Sequence, residues 1–209
     1  MPAFDAAYWD ERYRDKATVW GLAPNRFVEQ EVADLRPGRA LDLACGEGRN
    51  ALWLASRGWT VVAVDFSAVA VEKGRAGAAQ LDHPERIDWR VADATTFQPD
   101  TPVDLALLCY LQVAPQARRA AVSRAASALA PGGELLVVAH DSRNLTDGTG
   151  GPQDPRVLYT AADLAGDLAG TDLVIDKAGE VLRPVDGAPR PAIDTLLRAH
   201  RPPQPMNAG

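Results

Sequence analysis

Two glycines followed by an aspartate give the first indication of chemistry in this sequence. Residues 41–65 read LDLACGEGRNALWLASRGWTVVAVD: an apolar run breaks at Gly46 and Gly48, and a second apolar run ends at Asp65. Glycines between a strand and a helix let a ligand approach bare backbone. Because consecutive strands of such units are usually neighbours, Asp65 is expected beside the same loop. Its carboxylate can accept the two hydrogen bonds that a ribose diol donates, so the spacing predicts a nucleoside site.

Further acidic residues bear on which nucleoside is bound. The run from Gly46 to Ala51 also satisfies the loose dinucleotide fingerprint G-x-G-x-x-G/A, so an NAD(P)-dependent oxidoreductase stays open as an alternative. Asp42 precedes the loop and Glu47 lies inside it, and both charges disfavour a pyrophosphate. Asp93 follows the third apolar run, where it can accept from an adenine amino group. Carboxylates around a glycine loop favour S-adenosylmethionine, which carries an ammonium, a sulfonium, a ribose diol and an adenine.

The elements that must position these residues alternate along the chain. Short apolar or β-branched runs predict strands at 40–45, 60–65, 87–92, 103–109 and 134–140, and amphipathic runs predict helices at 26–36, 48–57, 68–80 and 115–130. This alternation predicts an α/β fold with a parallel sheet and helices on both faces.

The last third of the sequence follows a different pattern. Residues 141–155 form a Gly/Pro/Asp-rich loop, and Thr160 with Asp163 predicts a capping box at the start of a short helix. Strand-like runs then follow without an intervening helix, at 173–176, 180–184 and 193–200, which predicts an antiparallel edge to the sheet.

Composition restricts the partners and the compartment. The formal net charge of −6 argues against a nucleic-acid partner, since phosphate binding needs clustered Lys and Arg. No apolar run approaches the roughly 20 residues of a membrane span. The first residues, MPAFDAAYWDERYRDK, lack the cationic start and apolar core of a signal peptide. Two cysteines do not make a disulfide framework, so a cytoplasmic protein is expected.

The ordered series LDLACGEGRN, VVAVD, VADA and LAPGGELLV resembles the class I S-adenosylmethionine-dependent methyltransferases over most of residues 39–140. The resemblance implies a Rossmann-like, seven-stranded sheet that is mostly parallel, with a reversed C-terminal strand. It implies that Gly46 and Gly48 hold the methionine moiety, Asp65 the ribose and Asp93 the adenine N6. The predicted cofactor site also includes residues in or next to these motifs, together with the cysteine that ends the fourth predicted strand: Asp42, Ala44, Asn50, Phe66, Ala94 and Cys109.

A narrower resemblance covers the two ends of the chain. YWDERYR, VWGLAPNRFVEQEV, CGEGRN and GEVLRP are similar to the small-molecule branch that contains tellurite-resistance and thiopurine methyltransferases. The N-terminal segment of that branch folds over the cofactor, which implies that Tyr13, Trp20 and Asn25 line the site. The alternative is that the aromatic residues only pack a helix onto the sheet. The sequence departs from the tellurite pattern at Leu182, where those enzymes carry a histidine, but Arg183 remains.

These observations together predict one domain over residues 1–209, with four parts. Residues 1–38 form a helical cap and 39–140 a cofactor-binding core. Residues 141–201 supply a lid loop and the antiparallel strands, and 202–209 form a tail. The protein is expected to be a monomer or a homodimer.

The acceptor is expected beyond the carboxyl ends of the strands, where open α/β sheets bind ligands. That rule points to Tyr110, His140 and Asp141, of which Tyr110 and His140 are predicted to be catalytic. The resemblance adds Arg183, and the 141–155 loop is placed to cover these residues. No metal is expected, because the fourth strand ends in Cys109 rather than in an acid. The acceptor is predicted to be a small molecule. Two alternatives stay open: that His140 only packs and Arg183 only lies on an edge strand, and that the chain binds the cofactor without catalysis.

Overall fold

The computed structural model describes residues 5–19 and 21–204. Within these residues seven strands form one sheet: β1 (Arg39–Leu43), β2 (Thr60–Asp65), β3 (Ile87–Val91), β4 (Val103–Cys109), β5 (Leu129–His140), β6 (Val174–Arg183) and β7 (Ala192–His200). Their order is β3-β2-β1-β4-β5-β7-β6. Strand β7 runs antiparallel to both of its neighbours, and the pairs among β1 to β5 are parallel. The predicted Rossmann-like sheet with a reversed last strand is confirmed.

Helices cover both faces of the sheet. They are α1 (Ala6–Arg14), α2 (Arg26–Val32), α3 (Arg49–Ser56), α4 (Ala68–Ala78), α5 (Pro115–Ala128), α6 (Asn144–Asp147) and α7 (Ala161–Asp167). Side-chain caps fix several of their starts: Ser67 accepts from the Ala70 amide at the start of α4, and the predicted capping box of Thr160 and Asp163 opens α7. In the described part of the chain no helix has the length and apolarity to cross a bilayer.

The core consists of two apolar clusters, one on each face of the sheet. Strand β4 contributes to both, because alternate side chains point to opposite faces. Ala106 and Leu108 pack on the face covered by α5 and α7, and Leu105 and Leu107 pack on the face covered by α2, α3 and α4. Burial on both faces explains why the central strands are continuous apolar runs in the sequence.

Several predicted elements differ in the structure. The helix predicted at 26–36 ends at Val32, after which the Leu35 amide donates to the Val32 carbonyl in a tighter turn. The strands predicted at 173–176 and 180–184 are one strand, β6, with a register shift between Ile175 and Lys177. This edge strand is mostly exposed, so its sequence has no apolar alternation to mark it. The predicted loop at 141–155 contains the short helix α6.

Candidate active site

Two residues at the carboxyl edge of the sheet have unusual backbone conformations. Ala44 follows β1 with φ of 59°, and Tyr110 follows β4 with φ of 60°. A left-handed conformation costs a residue with a side chain about 1–2 kcal/mol, and such strain concentrates at functional sites. Because β1 and β4 are neighbours, both strained residues lie at the same edge.

Asp42 lies two residues before this turn and is fully buried. Neither of its carboxylate oxygens accepts a hydrogen bond of ordinary geometry from the described residues. Burial, and then the charge of Asp65, raise the pKa of Asp42 to about 7, against the opposing effects of Arg49 and the Ala51 amide. A buried carboxylate without a partner is costly, and a cationic ligand removes that cost.

Asp65 ends β2 and binds the glycine loop directly. Its Oδ2 accepts from the Gly46 amide at 2.8 Å, and its Oδ1 accepts from the Ser67 amide at 2.9 Å. Burial raises the pKa of Asp65, and these two amides oppose the rise. Each oxygen retains a second lone pair, so the carboxylate can still accept from a diol. Asp42, Gly46 and Asp65 are called the β1–β2 group below.

Gly48 has a packing reason to be glycine. It has φ of 78°, and a Cβ added to it would lie 2.2 Å from the Trp89 ring. Gly74 faces the same ring, at 2.3 Å. The absence of a side chain at Gly48 is therefore explained by Trp89 without any ligand. Contact between the Gly48 backbone and a cofactor stays a prediction.

The residues predicted to hold an adenine follow β2 and β3. Phe66 keeps 37% of its surface exposed although it is aromatic. Asp93 is exposed, and its Oδ1 accepts from both the amide and the hydroxyl of Thr95 at 2.7 Å, which leaves its Oδ2 for another donor. Ala94 is buried in the core. The arrangement offers an apolar ring and an acceptor, as an adenine requires.

The N-terminal segment is tied to the same edge. Asp10 of α1 accepts from the Ser67 hydroxyl at 2.5 Å. Glu47 of the glycine loop accepts from the Val19 amide at 2.8 Å and pairs with Lys73 at 2.7 Å. Glu47, whose charge disfavours a pyrophosphate, therefore also holds the N-terminal segment over the glycine loop.

Asn50 and Tyr13 have structural partners in this segment. The Asn25 amide donates to Asn50 Oδ1 at 2.8 Å, and both side chains are buried. The carbonyl of Tyr13, which is also buried, accepts from Lys73 Nζ at 2.8 Å. Trp20 lies outside the described residues. The predicted roles of these residues toward a cofactor stay predictions.

The three predicted catalytic residues meet at a residue that the sequence analysis missed, Asp194. Its Oδ2 accepts from the Tyr110 hydroxyl and from Arg183 Nε, each at 2.7 Å. Its Oδ1 lies 3.1 Å from His140 Nδ1. Burial alone would raise the pKa of Asp194, but the donors outweigh burial and hold it below its usual range. Tyr110, His140, Arg183 and Asp194 are called the Asp194 cluster below.

The loop that follows β5 covers part of this cluster. A Cβ added to Gly151 would lie 3.0 Å from the His140 ring. Asn144 holds the loop in place, since it donates to the Gly150 carbonyl at 2.8 Å and accepts from the Ile193 amide at 2.7 Å. The His140 amide donates to Gln112 Oε1 at 2.8 Å. The loop is thus attached to β7 and packs directly on His140.

Arg49 lies between the two polar groups and was also missed. Its guanidinium is 5.9 Å from the centroid of the Tyr110 ring, and its charge lowers the pKa of Asp42.

Burial raises the pKa of the Cys109 thiol to about 11 and that of the Cys45 thiol well above its usual range. Both cysteines are unpaired, and as neutral thiols they act as small apolar groups. Residues 5–19 and 21–204 contain no acid, histidine or cysteine cluster able to hold a metal ion.

Comparisons with known proteins agree with this geometry. A family model described as a methyltransferase domain matches residues 40–133. Probable thiol methyltransferase 2 of Arabidopsis thaliana is 29% identical over 137 residues, which are 62% of this chain and 60% of that protein. The chain therefore matches less than two thirds of that relative's length.

Two solved structures resemble the fold over nearly the whole chain. One comes from work on the conversion of a disulfide bond into a thioacetal group during echinomycin biosynthesis; it has a TM-score of 0.73 at 25% identity and covers 97% of this chain and 92% of its own. The other is TehB from Haemophilus influenzae, with a TM-score of 0.69 at 18% identity, covering 94% of this chain and 66% of its own. That second likeness shows the fold alone. Residues 40–133 thus match a methyltransferase domain, and the motif series and the sheet order agree with those of the class I S-adenosylmethionine-dependent methyltransferases.

Proposed function

We propose that this protein transfers a methyl group from S-adenosylmethionine to a small-molecule acceptor. The observation that carries the proposal is the Asp42 carboxylate, which is fully buried at the carboxyl edge and has no hydrogen bond of ordinary geometry to the described residues. A cationic ligand supplies the missing partner, and S-adenosylmethionine carries two positive groups. A dinucleotide brings phosphates instead, which Asp42 and Glu47 repel.

The β1–β2 group fits the cofactor in three ways. Asp42 offers a negative charge, Gly46 offers backbone without a side chain, and Asp65 offers lone pairs to the ribose hydroxyls. Phe66 offers an apolar ring and Asp93 a hydrogen-bond acceptor to the adenine. When bound, the cofactor supplies an electrophilic methyl group that an acceptor takes by in-line displacement, which releases S-adenosylhomocysteine.

The Asp194 cluster lies along the same edge and is proposed to act on the acceptor. His140 is the proposed base and Arg183 and Tyr110 the proposed orienting groups. The 141–155 loop, packed on His140, limits the entry of water. Holding two reactants in alignment can lower the activation free energy of a reaction by roughly 7–11 kcal/mol at best. Positioning the acceptor is therefore the main proposed role of these residues.

A thiol is the first acceptor class to test. The Arabidopsis relative is named as a probable thiol methyltransferase, and that name supports a sulfur acceptor here. We further propose a single catalytic domain that works as a monomer or a homodimer in the cytoplasm, without a metal ion or a nucleic-acid partner.

Turnover tests the proposal directly. The protein is incubated with S-adenosylmethionine and a panel of small thiols, phenols, amines and thiocyanate, and S-adenosylhomocysteine is quantified by mass spectrometry. We expect acceptor-dependent product with at least one thiol, and little with Asp65→Ala at the same cofactor concentration. If no acceptor gives product above the Asp65→Ala background, the proposed activity is wrong.

A further inference from the structure

The antiparallel pairing of β5 with β7 places His140 directly opposite Asp194. Asp194 is fully buried, and donors occupy both sides of its carboxylate. The Tyr110 hydroxyl and Arg183 Nε share Oδ2, and His140 Nδ1 faces Oδ1 at 3.1 Å. This last contact has the distance of a hydrogen bond but not its full geometry.

The partners of the cluster leave one basic atom unused. The Tyr110 hydroxyl donates to Asp194 and accepts from Arg183 Nε at 3.1 Å, so its proton and a lone pair are both engaged. His140 Nδ1 is buried against the carboxylate, whereas Nε2 makes no hydrogen bond to the described residues and is not buried. A carboxylate facing one ring nitrogen keeps the proton there and leaves the other nitrogen basic.

We propose that Asp194 is a positioning residue that holds His140 in the tautomer protonated on Nδ1, so that Nε2 removes a proton from the acceptor. The inference rests on the proposed function and narrows it: the acceptor is a neutral nucleophile with a removable proton, with a thiol as the leading class. The proton passes to Nε2, and the electron pair that it leaves forms the bond to the methyl group while the bond from that methyl to the sulfonium breaks. The imidazolium then loses its proton to water.

The tautomer of His140 can be determined by NMR, without measuring any enzymatic activity. The chain has three histidines, so long-range ¹H–¹⁵N correlation spectra of labelled protein, with His140→Gln for assignment, resolve the ring nitrogens. We expect Nδ1 of His140 to carry the proton in the wild type. In Asp194→Asn the oxygen stays with Tyr110 and Arg183, and the amide nitrogen faces Nδ1, so we expect the proton to move to Nε2.

Asp176 provides a matched control. It pairs with His200 Nδ1 at 2.8 Å at the opposite end of β6 and β7 from Asp194. Asp176→Asn also removes a carboxylate from a histidine, and we expect it to leave the His140 tautomer unchanged. If wild-type His140 is protonated on Nε2, the positioning role is wrong, and this result does not depend on whether Asp194→Asn folds.

Kinetics test the acceptor class. We compare 2-mercaptoethanol, which keeps its proton at neutral pH, with thiocyanate, which has none to lose. The ratio of kcat for 2-mercaptoethanol to kcat for thiocyanate should fall about 100-fold in His140→Gln and Asp194→Asn, and not in Asp176→Asn. A ratio that is the same in all variants would overturn the base role even if overall rates drop. If neither acceptor nor any other is methylated, the proposed function fails, while the tautomer still decides the role of Asp194.

Discussion

The β1–β2 group and the Asp194 cluster, both at the carboxyl edge, differ in the hydrogen bonding of their buried carboxylates. In the β1–β2 group, Asp42 is fully buried and accepts no hydrogen bond of ordinary geometry from the described residues. In the Asp194 cluster, an equally buried carboxylate is surrounded by donors from three different strand ends or loops. The pKa values follow: that of Asp42 is raised to about 7, and that of Asp194 is held below its usual range.

This difference indicates what each group does before a ligand arrives. The Asp194 cluster is preorganised, since its side chains already fix one another. The β1–β2 group is incomplete, because the buried Asp42 carboxylate has no hydrogen bond of ordinary geometry to the described residues; that burial is costly, and a bound cation would remove the cost. Cofactor binding should therefore stabilise the fold more than acceptor binding does.

The largest expected effect is at Gly46. Gly46→Val should abolish measurable binding of S-adenosylmethionine, because the new side chain fills the space that the ligand needs and the φ of 57° disfavours a β-branched residue. Calorimetry measures the affinity. Gly170→Val is the matched control, since Gly170 has φ of 84° with open space around its Cβ position, so it carries the backbone strain alone. If a folded Gly46→Val variant binds S-adenosylmethionine normally, the glycine loop does not contact the cofactor.

Asp65→Ala should weaken S-adenosylmethionine binding by roughly 2–4 kcal/mol, because the ribose hydroxyls lose a charged acceptor and the Gly46 amide loses its partner. Asp104→Ala is the control: Asp104 also accepts from a backbone amide, that of Arg39 at 2.8 Å, but away from the carboxyl edge. Equal affinities for wild type and Asp65→Ala would reject the ribose assignment.

The Asp194 cluster should respond in rate rather than in cofactor affinity. Arg183→Ala or His140→Ala should lower methyl transfer at least about tenfold, with S-adenosylmethionine affinity nearly unchanged. Single-turnover rates with an identified acceptor measure this. Arg90→Ala removes an exposed arginine paired with Asp88 at 2.7 Å and should have no effect. Wild-type rates in both cluster variants would place the acceptor elsewhere, with the N-terminal segment as the next candidate.

The smallest effect concerns the stability of the cofactor-free protein. The pKa of Asp42 is raised by folding, so its contribution to stability is present below pH 4 and is lost as pH rises through about 7. Asp42→Asn removes this titration. Between pH 6 and pH 8 the wild type should therefore lose about 1 kcal/mol of stability relative to the variant. Urea denaturation at both pH values measures the difference, and a pH-independent gap would contradict the pKa assignment.

Sequence reasoning worked best where the signal is local. Strands β2 and β4 were predicted to the residue, because buried apolar runs end sharply at polar residues. It failed where the role of a residue depends on a partner that is distant in the sequence. The reason for glycine at position 48 is Trp89, far along the chain. Asp194 acquires its role only from the antiparallel register of β5 and β7, which no local pattern specifies. An acid inside the apolar run AIDTLL was the one available signal.

The most direct test of the incomplete β1–β2 group is calorimetric titration with S-adenosylmethionine near pH 6.5, in buffers of different ionisation enthalpy. A cation beside Asp42 lowers the pKa of that carboxyl, so binding should release protons in the wild type and not in Asp42→Asn. NADH, titrated in parallel, should not bind. Proton-independent binding of S-adenosylmethionine by the wild type, or binding of NADH in its place, would contradict the account.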